Sequence, residues 1–199
     1  MALTLYGAPR SRSSLVRWYL EEKGLPYTTV MIDLAAGAQH ESAFLAIHPF
    51  GKVPALVDDG FSLNDGQPLA LFESGAILLH LAEHHARESA SPVWRSLTAQ
   101  WVLFANATLG PAMFLAASKP EELTRLLDAL ESQMGEGSLL AGAWGDPGWG
   151  VADCAVQAYL AYIPMFCREL DLAAWPRLQA CIAATAARPA YQAAMAGGA

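Results

Sequence analysis

The chain has 199 residues, 54% of them hydrophobic and 16% charged, with a formal net charge of -7. That composition is globular and long enough to bury one large core or two small ones, which excludes a disordered chain. The acidic balance argues against a nucleic-acid partner, whose binders carry basic surfaces.

Leu3 to Tyr6 is a short apolar run closed by Gly7 and Pro9, a strand signal, and the start lacks the basic, apolar and cleavage regions of a signal peptide. Ser13 to Lys23 places Leu15, Val16, Tyr19 and Leu20 at helical spacing, and Gly24 supplies the stop. Tyr27 to Ile32 is β-branched and aromatic, a second strand. Val53 to Val57 and Leu69 to Phe72 read as two more, joined by a long polar hairpin loop from Asp58 to Pro68. Ser74 to His85 is a helix, with Ser74 as its N-cap. A strand-helix-strand unit followed by a hairpin and a helix gives a mixed four-stranded sheet with helices packed on it, the thioredoxin-like arrangement.

From Pro92 the strand signals stop. Apolar helices are predicted over Pro92 to Ala117, Pro120 to Gln133, Val151 to Phe166, Trp175 to Ala187, and from Pro189. Residues 1–83 therefore form the first domain, 84–91 the linker and 92–199 an all-helical second domain. Ser96 to Ser118 has no charged residue, but Gln100, Asn106, Gly110 and Pro111 make it a helix buried on several sides of a bundle, not a membrane span. Cys154, Cys167 and Cys181 form no C-x-x-C and read as small buried hydrophobes in a reducing compartment, without a metal site.

Three segments carry chemistry. In Tyr6-Gly7-Ala8-Pro9-Arg10-Ser11-Arg12-Ser13-Ser14 a strand ends and a helix begins. A helix start favours an anion, and a thiolate is one; a thiol near pKa 8.5 is lowered there, and further by a hydroxyl that donates to sulfur. Ser11 can be that donor, with Arg10 and Arg12 adding positive charge; alternatively the serines only cap the helix. In Val53-Pro54 a proline opens a strand, and a cis bond would turn the Val53 N–H and C=O outward for an extended peptide; the other reading is an edge-strand proline in an ordinary turn. In Phe72-Glu73-Ser74-Gly75 a serine and a helix start can hold a carboxylate while Glu73 accepts from an ammonium; plain capping is the alternative.

Together, L-Y-G-x-P-x-S, then P-F-G-K-V-P-A-L, then E-S-G-A-I resemble the glutathione transferase family over nearly the whole chain. The Trp101 to Leu115 stretch, Leu160 to Met165 and Arg188 to Tyr191 resemble its chi class, described from cyanobacteria. The resemblance implies Ser11 or Arg10 as thiol activator, with Tyr6, Arg12, Ser13 and Ser14 as alternatives. It implies that Val53, before the cis-proline Pro54, pairs with the cysteinyl main chain of glutathione. Glu73 and Ser74 match the pair on the γ-glutamyl group, and His40 and Lys52 match positions that contact the glycine carboxylate. Phe104, Leu109, Phe114, Tyr162 and Phe166 are the expected lining of the electrophile pocket. The usual Ser or Thr N-cap before Asp153 is Gly150 here, a tolerable cap.

The activity so implied is cytoplasmic conjugation of the glutathione thiol to small apolar electrophiles such as aryl halides and isothiocyanates, in detoxification. Glutathione is the co-substrate, no metal is required, and neither nucleic acid nor membrane is a partner. A homodimer is expected, with Phe50 at its contact. The alternatives are a non-catalytic module that binds ligands or proteins, and a glutathione-dependent isomerase or dehalogenase. No cysteine stands at the first helix start, so thiol–disulfide exchange through the protein's own sulfur is not expected as the main task.

Overall fold

The computed structural model describes residues 2–88, 91–134 and 148–196. The chain divides into two compact units: one comprises the residues up to Ala86 and those from Ala190 on, the other Arg87–Pro189. Residues 89 and 90 of the expected linker lie outside the described residues.

In the first unit, β1 (Leu3–Gly7) is followed by α1 (Ser13–Glu22), β2 (Tyr27–Met31), a 3₁₀ turn (Ala38–His40), α2 (Ser42–Leu45), β3 (Ala55–Ser62), β4 (Pro68–Phe72) and α3 (Ser74–His84). The sheet order is β2-β1-β3-β4; β1 runs parallel to β2 and antiparallel to β3, and β4 antiparallel to β3. This is a thioredoxin-like sheet. Burial alternates along β1, as a strand's period of two requires: Leu3 and Leu5 face one way, Tyr6 the other. The leucine side is continuous with buried Leu15, Trp18 and Leu20 of α1 and Ile77, Leu78 and Leu81 of α3. On the other side Ile32, Phe44 and Ala55 form a smaller cluster with Tyr6, Ile47 and Val53.

Two features of this unit depart from the sequence reading. The 3₁₀ turn and α2 are absent from it, because four- and three-residue helices are shorter than any periodicity window. The hairpin loop shrinks: β3 continues to Ser62, and only 63–67 remain to turn, with Leu63 N–H bonded to Gln67 C=O at 2.8 Å. Polar Asp58 and Asp59 suggested a loop. Instead Asp58 is fully buried, pairs with Leu3 and Leu69, and has its carboxylate taken up by Gly60 N–H, His80 and His85.

The last helix, α9 (Pro189–Ala196), groups with this first unit from Ala190 on, although the sequence placed it with the second. Fully buried Trp18 of α1 meets Tyr191 edge-to-face, with ring centroids 5.1 Å apart.

The other unit is helical: α4 (Pro92–Phe104), a π turn (Ala105–Leu109), α5 (Gly110–Phe114), α6 (Pro120–Gln133), α7 (Val151–Phe166), a 3₁₀ turn (Leu172–Ala174) and α8 (Pro176–Ala186). The single long helix expected over 92–117 is thus broken; it is buried at Val102, Ala105, Leu109 and Met113 and exposed at Val93, Leu103 and Phe114. Pro111 cannot donate to the carbonyl ladder, and the wider π turn just before it absorbs the mismatch. Asn106 is fixed within that turn; Tyr159 Oη–H donates to its Oδ1 at 3.1 Å. No described helix is long and apolar enough to cross a membrane. α7 is the core helix, buried from Val151 through Ile163 save Ala152. At its start Gly150 N–H donates to Asp153 Oδ2 (3.0 Å), and Val151 N–H donates to Glu88 Oε2 (2.8 Å). Glu88 thereby does the work of the N-cap side chain that Gly150 lacks.

Candidate glutathione site

The sheet register alone assembles the three motifs. Tyr6 pairs with Ala55, and Ala55 with Phe72, so the C-terminal end of β1, the start of β3 and the end of β4 share one cross-strand row. Strands lie about 4.8 Å apart, so the row spans roughly 10 Å. Off the same edge of the sheet leave Gly7-to-Ser14, Val53-Pro54 and Glu73-Ser74.

At the first segment, Gly7 permits close approach of β1 to α1: a Cβ there would lie 2.7 Å from Ser13 Cβ and 2.8 Å from Ser13 Oγ. Ser11 is partly buried and sits in a hydroxyl relay. Its Oγ–H donates to Ala8 C=O at 2.7 Å, its oxygen lies 2.7 Å from Ser13 Oγ, and it accepts Ser13 N–H at 3.2 Å. Ser13 Oγ in turn accepts Ala8 N–H at 3.3 Å. Ser11 thus braces the start of the helix, whose N-cap is Arg12, and it also presents a hydroxyl whose proton can be re-aimed. Arg10 is exposed and stands at φ 52, in the left-handed region. Ser14 Oγ–H donates to Ser11 C=O at 2.8 Å. The Tyr6 ring packs on Phe44, centroids 5.9 Å apart, on the sheet face of the smaller cluster.

The Val53–Pro54 bond is cis. The β1–β3 ladder ends at the Tyr6–Ala55 pair, so the sheet does not use the Val53 N–H and C=O. Glu73 holds φ 66 and ψ 116, a conformation that costs a non-glycine residue about 1–3 kcal/mol and clusters at functional sites. Glu73 is the N-cap of α3, with its carboxylate exposed and making no cap bond; Ser74, expected at the cap, is the first helical residue and buried. Gly51, at φ 60, lies against the preceding turn: a Cβ there would be 2.9 Å from His40 Nδ1 and from Gln39 C=O. Exposed His40 thus lies against the residue that precedes exposed Lys52, and neither forms a salt bridge with another described residue.

His48 escaped the sequence reading. It is buried, stacks on Phe72 (centroids 4.8 Å apart, 28° between planes), and accepts Phe50 N–H on Nδ1 at 3.3 Å. Burial pushes its pKa down, outweighing the nearby Glu73 carboxylate that acts the other way. A neutral imidazole thus props the strand end that carries Glu73. Its flanking Pro49 and its place between Phe44 and Phe50 were the available signal. Phe50 itself is 68% exposed, its ring 5.6 Å from Phe72.

In the helical unit, Phe114 and Phe166 pair edge-to-face at 5.5 Å, and Tyr162 lies 6.1 Å from Phe166. Phe104 is elsewhere, against Trp101, and Leu109 is wholly buried in the core. Cys154 and Cys181 are buried, and burial pushes the Cys181 thiol up to about 12.

Residues 1–83 match the family model for the glutathione S-transferase N-terminal domain. The chain is 40% identical over 118 residues to the disulfide-bond oxidoreductase YfcG of Escherichia coli K12, a match spanning 56% of this chain and 52% of that one. It is 32% identical to glutathione S-transferase 3 of Zea mays, over 96% of this chain and 91% of the relative. Among solved structures, a glutathione transferase family member from Pseudomonas fluorescens Pf-5 with two glutathione bound superposes with a TM-score of 0.82 at 28% identity, covering 97% and 92% of the two chains. Similarity at this identity along nearly the full length of the maize enzyme, with the sheet-edge motifs in register, places the chain in the glutathione S-transferase family.

Proposed function

We propose that the protein binds glutathione along the sheet edge, holds its sulfur as a thiolate, and conjugates it to small apolar electrophiles such as aryl halides and isothiocyanates. The observation that carries this reading is the cross-strand row Tyr6–Ala55–Phe72, whose chain neighbours Gly7, Pro54 and Glu73 belong to the three motifs. Val53 pairs with the cysteinyl main chain, as an added strand would. Glu73 accepts from the γ-glutamyl ammonium, and Ser74 with the α3 N-terminus takes its carboxylate. His40 and Lys52 face the glycine carboxylate. Ser11 turns its O–H from Ala8 C=O to sulfur while Ser13 donates to the Ser11 oxygen, which polarises the first hydroxyl and stabilises only the charged thiol form. Arg10 adds charge. The Phe114, Tyr162 and Phe166 cluster of the helical unit takes the electrophile's apolar part. The protein supplies proximity and charge stabilisation and forms no covalent bond. This reading carries a cytoplasmic detoxification role, as a homodimer with Phe50 at the contact.

The test is aryl-halide conjugation by Ser11→Ala and Arg10→Ala, with thiolate absorbance of bound glutathione titrated in parallel. A fall of about tenfold or more in one variant, with glutathione retained, names the activator. Ionisation of the bound thiol at the same pH as in free solution would refute the proposal.

The YfcG similarity supports a second reading, glutathione-dependent disulfide reduction. One glutathione thiolate attacks a disulfide sulfur, the S–S bond breaks, and the other sulfur leaves as thiolate; a second glutathione resolves the mixed disulfide and glutathione disulfide departs. No protein sulfur takes part, in keeping with cysteines only at 154, 167 and 181. Hydroxyethyl disulfide reduction exceeding aryl-halide conjugation would favour it.

A further inference from the structure

A second cluster of chemistry-bearing side chains lies in the first unit, where β3 meets the end of α3. Asp58 is completely buried. Nε2–H of His80 and Nε2–H of His85 both donate to its Oδ2, at 2.8 and 2.6 Å. Gly60 N–H donates to Oδ1 at 2.9 Å and so fixes the carboxylate with Oδ2 toward the imidazoles. The Phe61 ring walls the group, 5.2 Å from the His80 ring and 6.3 Å from that of His85. Neither histidine is sealed: their side chains keep 9% and 12% of their exposure. No Lys or Arg pairs with Asp58 among the described residues. The buried Asp58 carboxylate therefore has two imidazoles and one backbone N–H as its partners.

We propose that Asp58, His80 and His85 form a binding site for a divalent transition cation. Their ligand atoms lie within 4.8 Å of one another. A tetrahedral ion with bonds of about 2.0–2.1 Å needs its donors about 3.3 Å apart. The oxygen–nitrogen distances of 2.8 and 2.6 Å must therefore open by about half an ångström to admit the ion. Each imidazole moves its proton from Nε2 to Nδ1, so the neutral ring offers a lone pair to the ion. Two nitrogens and one carboxylate oxygen suit Zn²⁺, Co²⁺ or Ni²⁺; Mg²⁺ and Ca²⁺ prefer oxygen alone. The Gly60 bond to Oδ1 is the outer-shell contact that orients such a ligand. The bound ion clips strand β3 to the C-terminal end of α3. This inference is independent of the glutathione reading.

The experiment is calorimetric titration of the tag-free protein with Zn²⁺, with thermal melts with and without the ion. One equivalent should bind, raising Tm, and His80→Gln and His85→Gln should each lose at least about tenfold in affinity and the Tm gain. If a variant fails to fold, ¹⁵N spectra of the wild-type imidazoles answer instead: two of the five histidines should shift to metal-bound values. Absence of stoichiometric binding, wild-type affinity in either variant, or unmoved imidazole resonances would overturn the proposal.

Discussion

Replacing Glu73 by glycine should raise stability and weaken glutathione binding at once. At φ 66 and ψ 116 the residue occupies a conformation that L side chains rarely adopt, and its carboxylate makes no cap bond within the chain. The strain is worth about 1–3 kcal/mol, whereas glycine gives back roughly 0.5–1 kcal/mol through its freer unfolded chain. The net is a gain of about 1 kcal/mol, which for a chain of this size is about 2–4 °C in Tm. Glu73→Ala is the companion variant, since it removes the carboxylate and keeps the strain. Both should lose roughly ten- to a hundredfold in glutathione affinity, the value of a charge-assisted hydrogen bond to the ammonium. The assay is a ligand-free melt beside calorimetric glutathione binding. A Glu73→Gly protein less stable than Glu73→Ala would refute the strain argument, whatever its effect on binding.

Three more outcomes are expected. Gly7→Ala drives a Cβ to 2.7 Å from Ser13 Cβ, so it should cost about 1–3 kcal/mol by overpacking and raise the pH at which bound glutathione ionises, both readable in one sample set. His48 is held neutral by burial, so its folded pKa lies below its unfolded value; its contribution is complete above pH 6.5 and fades as pH falls from there toward the folded value. Denaturant melts of His48→Gln between pH 7 and 5 should accordingly show a shallower loss than wild type, with the His80 share of the slope remaining. Gly150→Ser should fail to stabilise α7, because its Cβ would meet Glu88 Oε2 at 2.9 Å; in a Glu88→Ala background, itself costing about 1 kcal/mol, the same serine should restore stability.

The elements legible in the sequence were those whose own residues declare them. β1 shows as alternation, α1 by Gly24 at its end, and α6 and α7 by spacing that matches the observed bounds. The motifs at Gly7, Val53-Pro54 and Glu73 could be read singly, while their convergence is a property of strand register. What stayed hidden depends on partners distant in the chain. Asp58 reads as a loop residue until His80 and His85 arrive from α3, and Glu88 reads as linker until it caps α7. The π turn before Pro111 answers to Tyr159 and Asn106, 53 residues apart.

The Trp18–Tyr191 contact ties the closing of the first unit to a residue made only after the whole helical unit. During synthesis the sheet and its first helices emerge early, yet the edge-to-face partner of the Trp18 indole arrives only with residue 191. A nascent chain stalled in the helical unit therefore lacks the Tyr191 ring against Trp18, and a ligand that favours the finished sheet acts fully only once that ring has been made.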